Sequence, residues 1–151
     1  MHRQPLWPHG VTGSITHTSR MAMATALVSG ACQGVGIDVE QIIAADACAA
    51  LEGTAIERIE YELLRAVTGL SYLEAVTIKF SAKESLYKAA YASIGRFFDF
   101  SAARVTDLDP RERTITLELT ETLSETFIRG QTCVVSFARP DRNLLLTNFV
   151  W

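Results

Sequence analysis

Three short segments concentrate side chains that can handle protons, metal and phosphate: Gly13-Ser14-Ile15-Thr16-His17, Gly36-Ile37-Asp38-Val39-Glu40 and Phe80-Ser81-Ala82-Lys83-Glu84-Ser85-Leu86-Tyr87-Lys88. The second sets two carboxylates two residues apart, and the third sets a carboxylate and an ammonium four apart. In this order they supply the groups needed to hold a divalent metal against a pyrophosphate. On a strand, alternation puts Gly36, Asp38 and Glu40 on one face and Ile37 and Val39 on the other. The apolar pair is then expected to anchor in the core and hold the acids outward. Two carboxylates this close repel unless a cation or a proton lies between them. Mg²⁺, which prefers oxygen ligands and is commonly held by one or two carboxylates plus substrate phosphates, suits such a pair.

Taken alone, the D-x-E pair is more often two acids on a solvated strand face. On a helix, Phe80, Glu84 and Lys88 fall at i, i+4 and i+8 along one side. Glu84 can complete a three-carboxylate site, and Lys88, one turn on, can meet a phosphate oxygen. Taken alone, that pair is an ordinary surface Glu–Lys contact worth a few tenths of a kcal/mol. Phe80 by itself reads as a core residue and Lys83 by itself as a solvated charge. His17, ahead of the acidic pair, has a functional reading as a phosphate donor beside the commoner structural one.

The elements that must position these groups are legible in outline. Gln4 to Gly10 contains two prolines and reads as extended or turning. Strands are expected over Val11–Thr18, Met21–Ser29 and Gln33–Glu40, with Ser19-Arg20 and Gly30-Ala31 as hairpin connections. Ile42–Gly53 is Ala-rich and reads as a helical turn or a loop. Thr54 with Glu57 forms a capping box ahead of Ile56, Ile59, Leu63, Leu64 and Val67 at helical spacing, and Gly69 ends that pattern. Ser71 with Glu74 opens a second helix that should run to about Ser93, stopped by Gly95. Thr114–Thr120 alternates, with Ile115, Leu117 and Leu119 on one face. Thr126–Ala138 is expected as a strand pair or one long strand broken near Gly130. Arg139 to Asn143 is a turn, and Leu144–Trp151 a final strand. Strands, then helices, then strands make an α+β class.

Bulk properties narrow the function classes. The chain has 151 residues, 48% of them hydrophobic and 21% charged, enough for one domain with a real core and too few charges for disorder. A net charge of −3 argues against a general nucleic-acid binder, although Lys79, Lys83 and Lys88 can still make a local phosphate site. Cys32, Cys48 and Cys133 form no C-x-x-C pair and read as small buried hydrophobes in a reducing cytosol. Met1 to Pro8 has no apolar signal segment. Met21–Cys32 is too short for a transmembrane span, which takes roughly 20 residues. A cytoplasmic protein is expected.

Jointly, the segments resemble the 4′-phosphopantetheinyl transferases. The G-I-D-x-E signature stands at Gly36–Glu40. The [F/W]-[S/A]-x-K-E-x-x-x-K signature stands at Phe80–Lys88, with Glu84 46 positions after Asp38. The run from Pro5-Leu6-Trp7-Pro8 through Gly13–His17 is similar to the segment that precedes these signatures in the larger, surfactin- and enterobactin-synthase type. The resemblance covers the chain from about Pro5 to the end. It implies a phosphopantetheinyl transferase-like α+β fold in a single domain over 1–151: one complete half over 41–151, and over 1–40 part of the other pseudo-symmetric half with the strand between halves. Members of that type usually exceed 200 residues, so the first half looks short.

The resemblance further implies transfer of phosphopantetheine from coenzyme A to a serine of an acyl- or peptidyl-carrier protein, releasing 3′,5′-ADP; a truncated, non-catalytic remnant that binds coenzyme A or carrier is the alternative. Asp38, Glu40 and Glu84 are the implied magnesium ligands. Glu84 is also the candidate base, acting directly or through a metal-bound water. A low pKa for a carboxylate beside a cation favours the water relay. Lys88 and His17 are the implied phosphate contacts, Thr16 stands where the family usually has Ser, Lys83 is expected at the edge of the cofactor pocket, and Arg3 is a candidate nucleotide contact. A siderophore synthetase is the expected source of the carrier. The chain is expected to be a monomer, with self-association through uncovered apolar surface as the alternative.

Overall fold

The computed structural model describes residues 5–28, 30–52 and 58–151. Arg3 and the Thr54–Glu57 capping box with Ile56 lie outside the described residues. Chain order gives strands β1 (Val11–His17), β2 (Ala22–Val28) and β3 (Val35–Gln41), then helices α1 (Ala45–Glu52), α2 (Arg58–Ala66) and α3 (Tyr72–Ile94). Strands β4 (Ala103–Asp109), β5 (Thr114–Leu119), β6 (Thr132–Asp141) and β7 (Leu144–Val150) complete the chain. It is the expected α+β arrangement. A five-stranded antiparallel sheet of order β3-β7-β6-β5-β4 carries α3 on one face, and β1 and β2 form a separate two-stranded ribbon.

α3 starts and stops where its caps dictate. The Ser71 hydroxyl accepts from the Glu74 backbone N–H, and the Glu74 carboxylate accepts from the Ser71 N–H at 2.7 Å. Gly95 closes the helix at φ 69°, a left-handed conformation that costs glycine nothing. The Glu74 carboxylate also pairs with Arg139, tying the helix start to β6. Between the caps, α3 is enclosed around most of its circumference. Ile78, Ala82, Leu86 and Ala90 meet the sheet residues Val105, Ile115, Leu117, Val135, Leu145 and Phe149 in one apolar cluster.

Three features depart from the sequence expectation. First, β2 and β3 do not form a hairpin. The chain leaves the ribbon after β2, and β3 pairs along its length with β7, Asp38 opposite Thr147. A partner more than a hundred residues away outweighs the local turn signal at Gly30-Ala31. Second, β4 carries no simple alternation, because a bulge between Val105 and Asp107 shifts its register, and so it reads poorly as a strand. Third, the segment from Thr126 turns before β6 begins at Thr132, and β6 runs through Arg139 and Pro140 to a tight turn at Asp141–Leu144.

α2 shows a further inversion. Ile59, expected on its apolar face, is exposed, whereas Glu60 is 1% exposed. Its carboxylate meets Lys79 Nζ at 2.7 Å and Lys83 Nζ at 3.2 Å, and accepts from the Val105 N–H at 2.7 Å. One buried acid thus ties α2 to α3 and to the edge strand β4. Burial by itself would raise the Glu60 pKa. The charge of Lys83, the Lys79 hydrogen bond and the Val105 N–H outweigh it and hold the carboxyl below its ordinary value. Cys133 is buried and its thiol is pushed up to about 11, which leaves it unreactive. Among the described residues no helix is long and apolar enough to cross a membrane.

Gly36 faces α3 at its closest approach: a Cβ there would collide with the Ser85 carbonyl and lie 2.8 Å from the Ala89 nitrogen. Gly36→Ala should therefore destabilise the fold by roughly 1–3 kcal/mol through overpacking, read as a lower urea midpoint at unchanged m. The depressed Glu60 pKa sets an acid limit. Stability from this cluster is present above the unfolded carboxyl value near 4.5 and is lost as pH falls through the lower folded value. Urea midpoints followed downward from pH 6 should drop over that window in the wild type and be flatter in Glu60→Gln.

Candidate active site

The acidic strand lies where three elements meet. β3 is the edge of the main sheet next to the ribbon, and its outward N–H groups must find acceptors. Side-chain hydroxyls of β1 supply them: the Ile37 N–H donates to Ser14 Oγ at 3.0 Å and the Val39 N–H to Thr16 Oγ1 at 3.1 Å. Alternation along β1 puts Ser14 and Thr16 on the face toward β3. It leaves Ile15 and His17 exposed on the other.

The face bearing Gly36 and Asp38 turns toward α3, because Thr147, opposite Asp38 in the ladder, hydrogen-bonds to that helix. The expectation that Ile37 and Val39 anchor the core while the acids face outward is therefore corrected. Asp38 is 4% exposed, and Ile37 and Val39 are buried on the opposite face, outside the main apolar cluster. Glycine at position 36 makes the inversion possible by letting the helix backbone close over the strand.

Asp38 is held from both sides. Its Oδ1 accepts from Lys88 Nζ at 2.7 Å and from Thr16 Oγ1 at 3.1 Å. Lys88 also donates to the Ile37 carbonyl at 3.1 Å. Oδ2 of the same carboxylate is buried and, among the described residues, has no hydrogen-bond partner. An unpartnered carboxylate oxygen in the interior is costly unless something else occupies it.

Glu40 and Glu84 lie within electrostatic reach of Asp38. Both are half-buried, and among the described residues neither has a hydrogen-bonding or ion-pairing partner. Burial first, then the charge of Asp38, raises the pKa of Glu84 above its ordinary value, against the lowering pull of Lys88. Glu40 is raised by burial, then by Asp38, then by Glu84. The low value expected for Glu84 presupposes a neighbouring cation; in the protein alone, burial and like charge win. Three carboxylates thus share one ammonium.

Among the described residues no three His, Cys, Asp or Glu side chains are drawn close enough to form a closed metal cage. The donors nevertheless suit Mg²⁺: hard carboxylate oxygens, one of them buried and unclaimed, on groups whose mutual repulsion a cation relieves.

The other sequence candidates are divided. Lys88 and Thr16 are brought to Asp38. His17 closes β1 as an exposed residue. Lys83, expected at the cofactor pocket, and Lys79 instead sit roughly half a turn of α3 away from the Ser81–Ser85–Lys88 stripe, at 100° per residue. Their ammonium groups are engaged by buried Glu60, and Lys83 also donates to the Phe100 carbonyl at 3.0 Å. A lysine next to Glu84 in sequence is not next to it on a helix. The hydroxyls of Ser14, Ser81, Ser85 and Thr147, all buried around Asp38, were not anticipated. The serines stand inside the quoted motifs, but nothing local marks Thr147.

The family model described as the 4′-phosphopantetheinyl transferase superfamily matches residues 34–140, which takes in both acidic motifs. This chain belongs to the 4′-phosphopantetheinyl transferase superfamily. A second model, for the N-terminal domain of 4′-phosphopantetheinyl transferases, matches residues 1–27. Curated relatives agree. Enterobactin synthase component D of Salmonella typhi is 38% identical over 107 residues, covering 71% of this chain and 43% of that protein. The Salmonella typhimurium protein of the same name is 39% identical over 106 residues, covering 70% of this chain and 43% of that protein. The Escherichia coli K12 protein is 41% identical over 88 residues, covering 58% and 40%. The matched region therefore spans about two fifths of these relatives' length.

The raised carboxyls set a stability trade-off. An acid whose folded pKa exceeds its unfolded value near 4.5 destabilises the fold at neutral pH and does nothing once both states are protonated. In metal-free buffer, Glu84→Gln should melt higher than wild type at pH 7, and the difference should vanish as pH falls below the unfolded value. Calorimetric melts at the two ends of that range measure it.

Proposed function

We propose that this chain transfers 4′-phosphopantetheine from coenzyme A to a serine hydroxyl of an acyl- or peptidyl-carrier protein, leaving the holo carrier and 3′,5′-ADP. The observation that carries the reading is the buried, unpartnered Oδ2 of Asp38 beside two partnerless glutamates, in a chain of this superfamily. Asp38, Glu40 and Glu84 would hold Mg²⁺. When bound, the ion supplies positive charge against the pyrophosphate, which otherwise repels an incoming oxygen.

The chain's own residues account for the rest. Serine is a poor nucleophile at neutral pH and must lose its proton as it attacks. Glu84 is the group assigned to take that proton, directly or through a water; a cation beside it would lower its pKa and favour the water relay. The serine oxygen bonds to the phosphorus that carries the pantetheine. The bond from that phosphorus to the bridging oxygen breaks, and its electron pair leaves with 3′,5′-ADP. Lys88 sits at the Asp38 end of the site and its side chain is 26% exposed, so its ammonium can turn from Asp38 to a phosphate oxygen. His17, exposed at the end of β1, adds a second phosphate contact, and Arg3 a contact at the nucleotide end. Thr16 orients Asp38 by its hydroxyl. Lys83 supports the site from behind, holding α3 to α2 through Glu60. The relatives' name, enterobactin synthase component D, suggests a carrier from siderophore assembly, and cytoplasmic location follows from that role.

Mass spectrometry decides the matter. An apo carrier domain incubated with the chain, coenzyme A and Mg²⁺ should gain one phosphopantetheine arm. Asp38→Ala should slow the gain by roughly 100-fold or more, as loss of a metal ligand does. Binding of coenzyme A with no gain in carrier mass would overturn the transferase reading.

A further inference from the structure

We infer that Ser81, Ser85 and Thr147 form a buried hydroxyl clamp that sets the position of Asp38 relative to Glu84 and Lys88. The inference rests on the proposed metal-dependent site. All three residues are 0% exposed. Thr147 lies directly across the ladder from Asp38. Its Oγ1 is 2.8 Å from Ser81 Oγ and 2.7 Å from Ser85 Oγ. Ser81 Oγ donates to the Asp38 backbone carbonyl at 3.2 Å, and Ser85 Oγ to the Thr147 carbonyl at 3.1 Å. Each end of the clamp therefore grips a strand backbone, one on β3 and one on β7, and Thr147 joins the ends.

The chemistry of the clamp leaves the acid available. Three hydroxyls own three protons, and these are shared among four oxygen–oxygen contacts, none of them to the Asp38 carboxylate. Asp38 is held by its main chain, and its Oδ2 stays unclaimed. Glu84 lies between the two serines in sequence, and Lys88 one turn beyond Ser85. A slip of α3 by one residue would swing Glu84 about 100° off the strand. Apolar packing at this contact would resist such a slip only weakly, because Gly36 offers no side chain to interlock. At this contact the directional bonds of the clamp fix the register, while the apolar cluster and the Glu60 pairs hold the other sides of the helix. Ser81, Ser85 and Thr147 are positioning residues: their hydroxyls bond to one another and to strand carbonyls.

The test measures metal affinity, not turnover. Mn²⁺ binding is followed by electron paramagnetic resonance in the presence of coenzyme A. Thr147→Val keeps the shape and removes the hub; Ser81→Ala with Ser85→Ala removes both grips. Each variant should fold by circular dichroism and bind Mn²⁺ at least fivefold more weakly than wild type, and Thr147→Ser should restore the affinity. Wild-type affinity in both folded variants, or loss of folding in both, would make the cluster merely structural and overturn the proposal. Failure of the wild-type chain to bind Mn²⁺ at all would instead overturn the site reading on which the clamp rests.

Discussion

A carboxylate buried with too little counter-charge is the constraint around which this protein is organised. Asp38 lies in the interior with one oxygen held by Lys88 and Thr16 and the other unheld, and two further acids press on it electrostatically. Interiors do not favour such an arrangement. Its persistence makes sense if a cation and a phosphorylated ligand complete the charge balance. The proposed transfer would supply that reason: handling a pyrophosphate calls for concentrated negative ligands around a metal, with ammonium groups beside them.

Everything around Asp38 serves to keep that unfavourable group in place. The two-stranded ribbon gives up two hydroxyls to the exposed N–H groups of β3, so that the edge strand is satisfied without a further strand. The main sheet contributes Thr147 from its last strand, opposite the acid. Helix α3 is enclosed by apolar packing, by the Glu60 ion cluster and by the clamp, and these hold different parts of its circumference. Such a helix has little amphipathic asymmetry, because nearly every direction meets protein. It can therefore present Glu84 and Lys88 toward the strand with little freedom to rotate.

The two buried ionic groups on α3 make a useful contrast. Around Glu60, two ammonium groups and a backbone N–H satisfy one acid, and its pKa falls. Around Asp38, three acids share one ammonium, and the pKa values of Glu40 and Glu84 rise. The first is an arrangement for holding elements together; the second stores repulsion that the proposed Mg²⁺ would relieve. Both draw on lysines from the same short motif, which is why Lys83 and Lys88 look equivalent in sequence and differ in role.

Spacing and capping alone pointed to the candidate groups and bounded the local elements. The spacing of Asp38, Glu40, Glu84 and Lys88 named the acids and the ammonium, and the caps at Ser71, Glu74 and Gly95 bounded α3, because periodicity and capping depend only on near neighbours. Which face those groups occupy is set by packing between distant parts of the chain. Asp38 turns inward because Gly36 admits α3. Lys83 is drawn to Glu60 while Ile59 is left outside, and Thr147 and β4 take up roles that no local pattern announces. Those outcomes come from contacts between residues distant in the chain, where burial, charge pairing and hydrogen-bond satisfaction outweigh what any short stretch prefers.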